Sequence, residues 1–177
     1  MDYQLLEEER IADERSRVSR DLGSLITEQP LRTLASLRPP VSVSLDATAA
    51  EAIDKMMEQR SGCVLVVDDE KLVGVFTERD VLCKIAAMDR SPNAVPVRDV
   101  MTADPECLTL DDTLAFALHH MSVGGFRHIP LVDEDGKPTG IVAMRSIVEF
   151  MVDSFPRQVL NLPPSPSANI AREREGA

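Results

Sequence analysis

From residue 40 onward the apolar positions fall into a short, recurring order. Val41 and Val43 alternate with Ser42 and Ser44, the spacing of a short strand over 41–44. Thr48 followed by Glu51 is a capping box, and it predicts a helix over 49–59. The apolar run 63–67 reads as a buried strand, and Asp68-Asp-Glu-Lys71 reads as a turn. Leu72, Val73, Val75 and Phe76 then form a second buried strand. Thr77 can cap a helix over 78–88 that carries Val81, Leu82, Ile85 and Met88 on one face. Gly74 leaves the second strand open to close approach by another chain or a ligand.

The same order then returns. At a constant offset of 65 residues, Pro40, Leu45, Asp46, Thr48, Ala50, Ala52, Met56, Val67 and Asp68 recur identically as Pro105, Leu110, Asp111, Thr113, Ala115, Ala117, Met121, Val132 and Asp133. Chance would supply about two such identities over this span, so the chain contains an internal repeat. The second copy predicts a strand over 107–109, a helix over 114–122, strands over 128–132 and 139–142, and a helix over 145–153. Its turn, Asp133-Glu-Asp-Gly136, holds one inserted residue, after which Gly74-Val-Phe-Thr-Glu-Arg-Asp80 aligns with Gly140-Ile-Val-Ala-Met-Arg-Ser146. A β-α-β-β-α unit of this size cannot cover both faces of its sheet. The two copies are therefore expected to pack sheet to sheet about an approximate two-fold axis, leaving two clefts.

This α+β core leaves two flanking segments. Residues 1–35 are charge-rich, with Leu5, Leu6, Ile11, Val18, Leu22, Leu25 and Ile26 spaced loosely like a helix stripe. They read either as a helical extension or as a solvated charged arm, and Pro30 stops any helix near it. Residues 155–177, with Asn161-Leu-Pro-Pro-Ser-Pro-Ser167, read as an irregular Pro-rich and charged tail. The expected boundaries are thus 1–35, 36–92 for the first repeat, 93–154 for the second, and 155–177.

Composition narrows the function. Hydrophobic residues make up 44% of the chain but aromatics only 3%, so the core is aliphatic. The net charge of −11 argues against nucleic acid or an anionic membrane as partner. The N-terminal residues lack signal-peptide order and no apolar run reaches membrane length, so a cytoplasmic location is expected. Cys63, Cys83 and Cys107 are an odd number without CxxC spacing, which fits reduced thiols and not a disulfide frame or zinc site. The adjacent His119 and His120 diverge on a helix and lack a partner at metal-ligand spacing. Met56, Met57, Met121 and Met144 read as core filling. With no nucleophile–base pair, metal cluster or glycine-rich phosphate loop, no catalytic residue is expected.

The candidate chemistry sits where Phe76 hands over to Thr77. A strand end meeting a helix start presents free N–H groups and a positive dipole end, which suit phosphate. Asp80, three residues after Thr77, can accept both hydroxyls of a ribose. Thr77 and Asp80 also satisfy a cap that needs no ligand, so both readings stand at this point.

The tandem unit over about residues 31–153 resembles a pair of CBS domains (cystathionine-β-synthase domains, a Bateman module). Gly74-Val-Phe-Thr77-Glu-Arg-Asp80 fits that family's nucleotide motif, and Val100-Met-Thr102 and Phe126-Arg-His-Ile-Pro-Leu-Val-Asp133 are phrases similar to the family's. The resemblance implies an adenosyl ligand in the cleft between repeats, as a regulatory ligand and not an obligatory cofactor. It would place Asp80 on the ribose hydroxyls and Thr77 on the ribose or a phosphate. Thr102 and Cys107 would flank the base, Val75 and Phe126 would form its apolar slot, and Arg127 and His128 would face the phosphates. In the second cleft Ala143 and Ser146 replace the Thr and Asp, with small Ser42 and Ser61 opposite, so that cleft is expected to be weak or empty. The implied function is a non-catalytic sensor of AMP, ADP, ATP or S-adenosylmethionine, signalling through a homodimer, with a regulated protein as further partner. The alternative is a ligand-free structural or dimerisation module.

Overall fold

A computed structural model of the chain describes residues 26–34, 37 and 39–154; the expectations for 1–25 and 155–177 lie outside them. Strand β1 (Ser42–Ser44) leads into helix α1 (Ala49–Glu58), followed by β2 (Cys63–Asp68) and β3 (Lys71–Thr77). A continuous helical segment, α2, comprises an α-turn Glu78–Asp80, a π-turn Val81–Ile85 and a 3-10 turn Ala86–Met88. After a 3-10 turn at Val97–Asp99 come β4 (Thr102–Ala103), α3 (Leu114–Gly124), β5 (His128–Val132), β6 (Pro138–Ala143) and α4 (Met144–Ser154). No helix among the described residues is long and apolar enough to cross a membrane.

The repeat is written in the register. One sheet runs β1-β2-β3-β4, with β1 parallel to β2 and the other pairs antiparallel; β5 and β6 form a second antiparallel sheet. The bridge Val43↔Val66 in the first copy reappears 65 residues on as Leu108↔Leu131, and both hairpins shift register at equivalent points, Val66/Val67 and Leu131/Val132. The strand expected over 107–109 is reduced to that single bridge. In the first copy the Leu65 N–H donates to the Val41 carbonyl at 2.8 Å. Its counterpart, Pro130, has no N–H, so that rung cannot form.

Each repeat's core is completed by the segment that leads into the other. Val97 and Val100 are fully buried among Val43, Ala52, Val64, Val66 and Phe76 of the first repeat. Leu31 and Leu34 are buried among Leu114, Ile129, Leu131 and Ile147 of the second. Reciprocal backbone bonds fix this exchange: Val97 N–H to the Ala47 carbonyl and Leu31 N–H to the Asp112 carbonyl, both at 2.8 Å. Between the sheets, Cys63, Leu65 and Val75 pack with Ile141, the sheet-to-sheet arrangement expected. The hairpin turns touch as well, through Leu72 N–H to the Gly136 carbonyl at 3.0 Å and Lys137 to Glu70 at 2.7 Å.

Three local expectations change. Helix α2 does not keep Val81, Leu82, Ile85 and Met88 on one buried face: Ile85 is buried, whereas Leu82 is 65% and Met88 58% exposed. The π-turn advances the chain by more than 3.6 residues per turn and breaks the phase of the stripe. Close approach at Gly74 comes from this chain's own Met101, whose Sδ lies 2.3 Å from where a Cβ would stand. Met56 and Met121 are buried, but Met57 is 72% exposed, because a helical neighbour is turned about 100° away.

Candidate functional site

The site grows from the end of β3. Thr77 has extended backbone angles and caps α2: its hydroxyl accepts from the Asp80 N–H at 3.4 Å, and its own N–H donates to Asp80 Oδ2 at 2.9 Å. The Thr77 hydroxyl also donates to Oδ2 at 2.7 Å. Lys84, one turn on, holds Asp80 Oδ1 at 2.7 Å and anchors itself on the carbonyls of Val100 and Met101. Asp80 is thereby fixed, almost buried, with its carboxylate already engaged on both oxygens.

Strand β4 lies against β3 with Val75 opposite Thr102, so the segment before the second repeat forms one wall. The Gly124–Gly125 turn and Phe126, Arg127 and His128 form the facing wall. Gly125 takes φ +68 and ends α3, and the Phe126 ring lies so close to Gly124 that a Cβ there would meet it at 2.0 Å. Arg79 reaches across to the Gly125 carbonyl at 3.4 Å. His128 lies against Gly62, where a Cβ would come within 3.1 Å of the ring.

Together these elements enclose a cavity of about 430 Å3 between the two repeats. Val75, Thr77, Asp80, Thr102, Phe126, Arg127 and His128 all line it. Cys107 does not: its thiol turns back to the Pro105 carbonyl at 3.1 Å, and Asp104, Pro105 and Glu106 line the cavity in its place. Those three lie in a loop without strand or helix periodicity, so the pattern of the chain does not single them out; Glu78, the first residue of α2, lines the cavity as well. Asp104 adopts φ +45, a conformation in which Asp is enriched among non-glycine residues. Glu106 is held by His120 Nδ1 at 2.5 Å.

The cavity's chemistry is mixed. Val75 and Phe126 supply apolar surface, and Arg79 and Arg127 supply two guanidinium groups. Four carboxylates, Glu78, Asp80, Asp104 and Glu106, outnumber them. Such a lining accommodates an aromatic base and a diol, and it disfavours a long, bare polyphosphate. The thiols are poor nucleophiles: burial pushes Cys63 up to about 11, partly opposed by the Ser61 hydrogen bond, and burial also raises Cys107. Among the described residues, no group of three His, Cys, Asp or Glu side chains could hold a metal ion.

The family described as CBS domain matches this chain twice, over residues 33–87 and 97–153. The CBS domain-containing protein CBSCBSPB3 of Arabidopsis thaliana is 33% identical over 131 residues, covering 74% of this chain and 22% of its own length. This chain thus spans about a fifth of that relative's length. A CBS domain protein from Pyrobaculum aerophilum, solved with AMP, superposes with a TM-score of 0.62 at 24% identity, covering 67% of this chain and 89% of its own. A CBS domain pair solved with 5′-methylthioadenosine and S-adenosyl-L-methionine gives 0.63 at 22% identity, covering 70% and 99%. With both repeats matched by one family and the same paired architecture in its neighbours, the chain belongs to the CBS domain family, carrying the domain twice in tandem.

Proposed function

We propose that this chain is a non-catalytic regulatory module that binds an adenine nucleotide or other adenosyl ligand in the cavity between its repeats. The observation that carries the reading is the convergence of seven residues from both repeats on one cavity whose volume lies in the range of small-ligand sites. Asp80 would accept the ribose hydroxyls through lone pairs left after capping, Thr77 would touch the ribose or a phosphate, and Thr102 would border the base. Val75 and Phe126 would sandwich the base, with Arg127 and His128 at the phosphate end. The neighbours solved with AMP and with S-adenosyl-L-methionine support this class of ligand. The excess of carboxylates favours AMP or a cationic adenosyl compound over ATP without a counter-cation.

Binding would signal by shifting the geometry of a homodimer to which a regulated protein responds, a coupling between sites and not a reaction. Exposed Met57 on α1 and Leu82 on α2 border one shallow groove, and Phe116, Val123 and Val148 are exposed on α3 and α4. Apolar side chains on all four helices support helix-to-helix pairing of two copies.

A second reading has its own observation. The capping box and Lys84 account for Thr77 and Asp80 with no ligand present, as a structural module would require. Thermal shift separates the two. AMP at one hundred times its dissociation constant adds about 2.7 kcal/mol of stability to a binder. Absence of any shift with AMP, ATP and S-adenosylmethionine would favour the structural module.

A further inference from the structure

Glu106 enters the cavity between the repeats from a pinned loop. The Asp104 N–H donates to the Val73 carbonyl at 3.2 Å, Pro105 fixes the next backbone angle, and the Leu108 N–H donates to the Pro130 carbonyl at 3.0 Å. His120 Nδ1 then holds the Glu106 carboxylate at 2.5 Å. The His120 ring is itself backed by Phe116, one turn earlier on α3, with ring centroids 4.4 Å apart. Glu106 therefore lines the cavity as an oriented group, and the helix that orients it ends at Gly124 and Gly125, in the wall of the same cavity. At the repeat offset of 65 the counterparts of Glu106 and His120 are Val41 and Lys55, so this pair belongs to the second repeat alone.

The pair differs in kind from the other engaged carboxylate. Asp80 meets the Lys84 ammonium, and an ammonium holds its charge throughout the neutral range. An imidazole gains or loses its charge there. The surroundings of His120 are few in charge: His119 stands edge-on at 5.9 Å on the same helix, and β5 and α4 pack on α3 through the apolar Ile129, Leu131 and Ile147. The remaining charged and titratable groups of the cavity are Glu78, Arg79 and Asp80 of α2, with Asp104, Arg127 and His128.

We propose that Glu106 and His120 together set which charge class of adenosyl ligand the cavity accepts. Glu106 is the specificity-determining group, and His120 positions it and, when protonated, neutralises it. The inference rests on the adenosyl reading of this cavity. Beside a neutral imidazole, Glu106 adds its full negative charge to a lining already rich in carboxylates, which opposes a nucleoside phosphate and favours a cationic adenosyl compound. Beside an imidazolium the pair has no net charge, and the preference moves toward the phosphate. Acidification thus tilts the cavity from S-adenosylmethionine toward AMP.

Calorimetric titration of AMP and of S-adenosylmethionine into the full chain, at pH 8 and pH 6 and at low, fixed ionic strength, tests the proposal beside Glu106→Gln and His120→Gln. The Glu106 side chain is 58% exposed and that of His120 27%, so neither replacement opens the core. Affinities are read as ratios to the unaltered protein at the same pH, in which titration of the ligand, His119 and His128 cancels. At pH 8 Glu106→Gln should bind AMP about threefold more tightly and S-adenosylmethionine about threefold more weakly. At pH 6 both ratios should approach one. His120→Gln should match the unaltered protein at pH 8 and bind AMP about threefold more weakly at pH 6. Ratios independent of pH, or both ligands moving in the same direction, would overturn the inference and leave the adenosyl site standing. Binding of neither ligand to the unaltered chain would overturn both.

Discussion

Asp80 is both scaffold and candidate ligand group, and substitution can divide the two roles. Asp80→Ala leaves the Thr77 hydroxyl capping α2 but removes the reciprocal half of the capping box and the ion pair with Lys84, and it should cost about 1 kcal/mol of stability besides any ligand effect. Asp80→Asn keeps a capping oxygen but turns an amide NH2 toward the Lys84 ammonium, so it should fold at a cost of about 1–3 kcal/mol while binding AMP at least tenfold more weakly. Cys63 gives a pH test. Burial raises its thiol from the usual 9.0 to about 11, so the folded state favours the neutral form. Stability from that group is present below about pH 9 and is lost as pH rises toward 11. Iodoacetamide should accordingly modify the exposed Cys83 first and leave Cys63 unmodified at pH 8. Much of the residue scale was legible: Thr77 with Asp80 announced the cap that the structure shows, and both residues line one cavity with Phe126, Arg127 and His128. Cys107 was misplaced because its neighbour Pro105, not its strand register, decides where the thiol turns. Asp104 and Glu106 went unseen because loop residues carry no periodic signal.

At the scale of elements, the exchanged lead-in segments make a sharp claim. Val97 and Leu31 are each fully buried, but in the repeat that does not follow them. Leu31→Ala should cost about 2–5 kcal/mol, and amide exchange should loosen first in β5 and β6, far along the chain. Val97→Ala should loosen β2 and β3 instead. Gly74 offers a second test. Gly74→Ala drives a Cβ into Met101 Sδ and should cost about 1–3 kcal/mol, and a smaller residue at position 101 should restore most of it. Sequence pattern revealed the elements because strand and helix periods are local. It did not reveal the exchange, since apolar spacing shows that Leu31 and Val97 are buried and not by which repeat. Nor did it reveal the π-turn in α2, since a 3.6-residue period was assumed throughout.

At the scale of the molecule, two half-cores completed by each other's lead-in segments should unfold together. Residues 36–92 alone lack Val97 and Val100 and should not fold, whereas two self-sufficient repeats would melt separately. Dimerisation through the helices is tested by sedimentation: Met57→Glu with Leu82→Glu should turn a dimer into a monomer without lowering helix content. The overall architecture was readable because duplication printed the same pattern twice, 65 residues apart. The asymmetry of the two clefts was readable only as a loss at 143 and 146; Lys55 on α1, Arg60 just after it and Arg145 on α4 line the second cleft together only in the fold. Calorimetric titration of AMP into the full chain, beside Asp80→Asn, tests the central claim most directly. The account predicts one saturable adenosyl site per chain that weakens at least tenfold in the variant. Saturable binding of equal affinity in both proteins, or no binding to either, would contradict it.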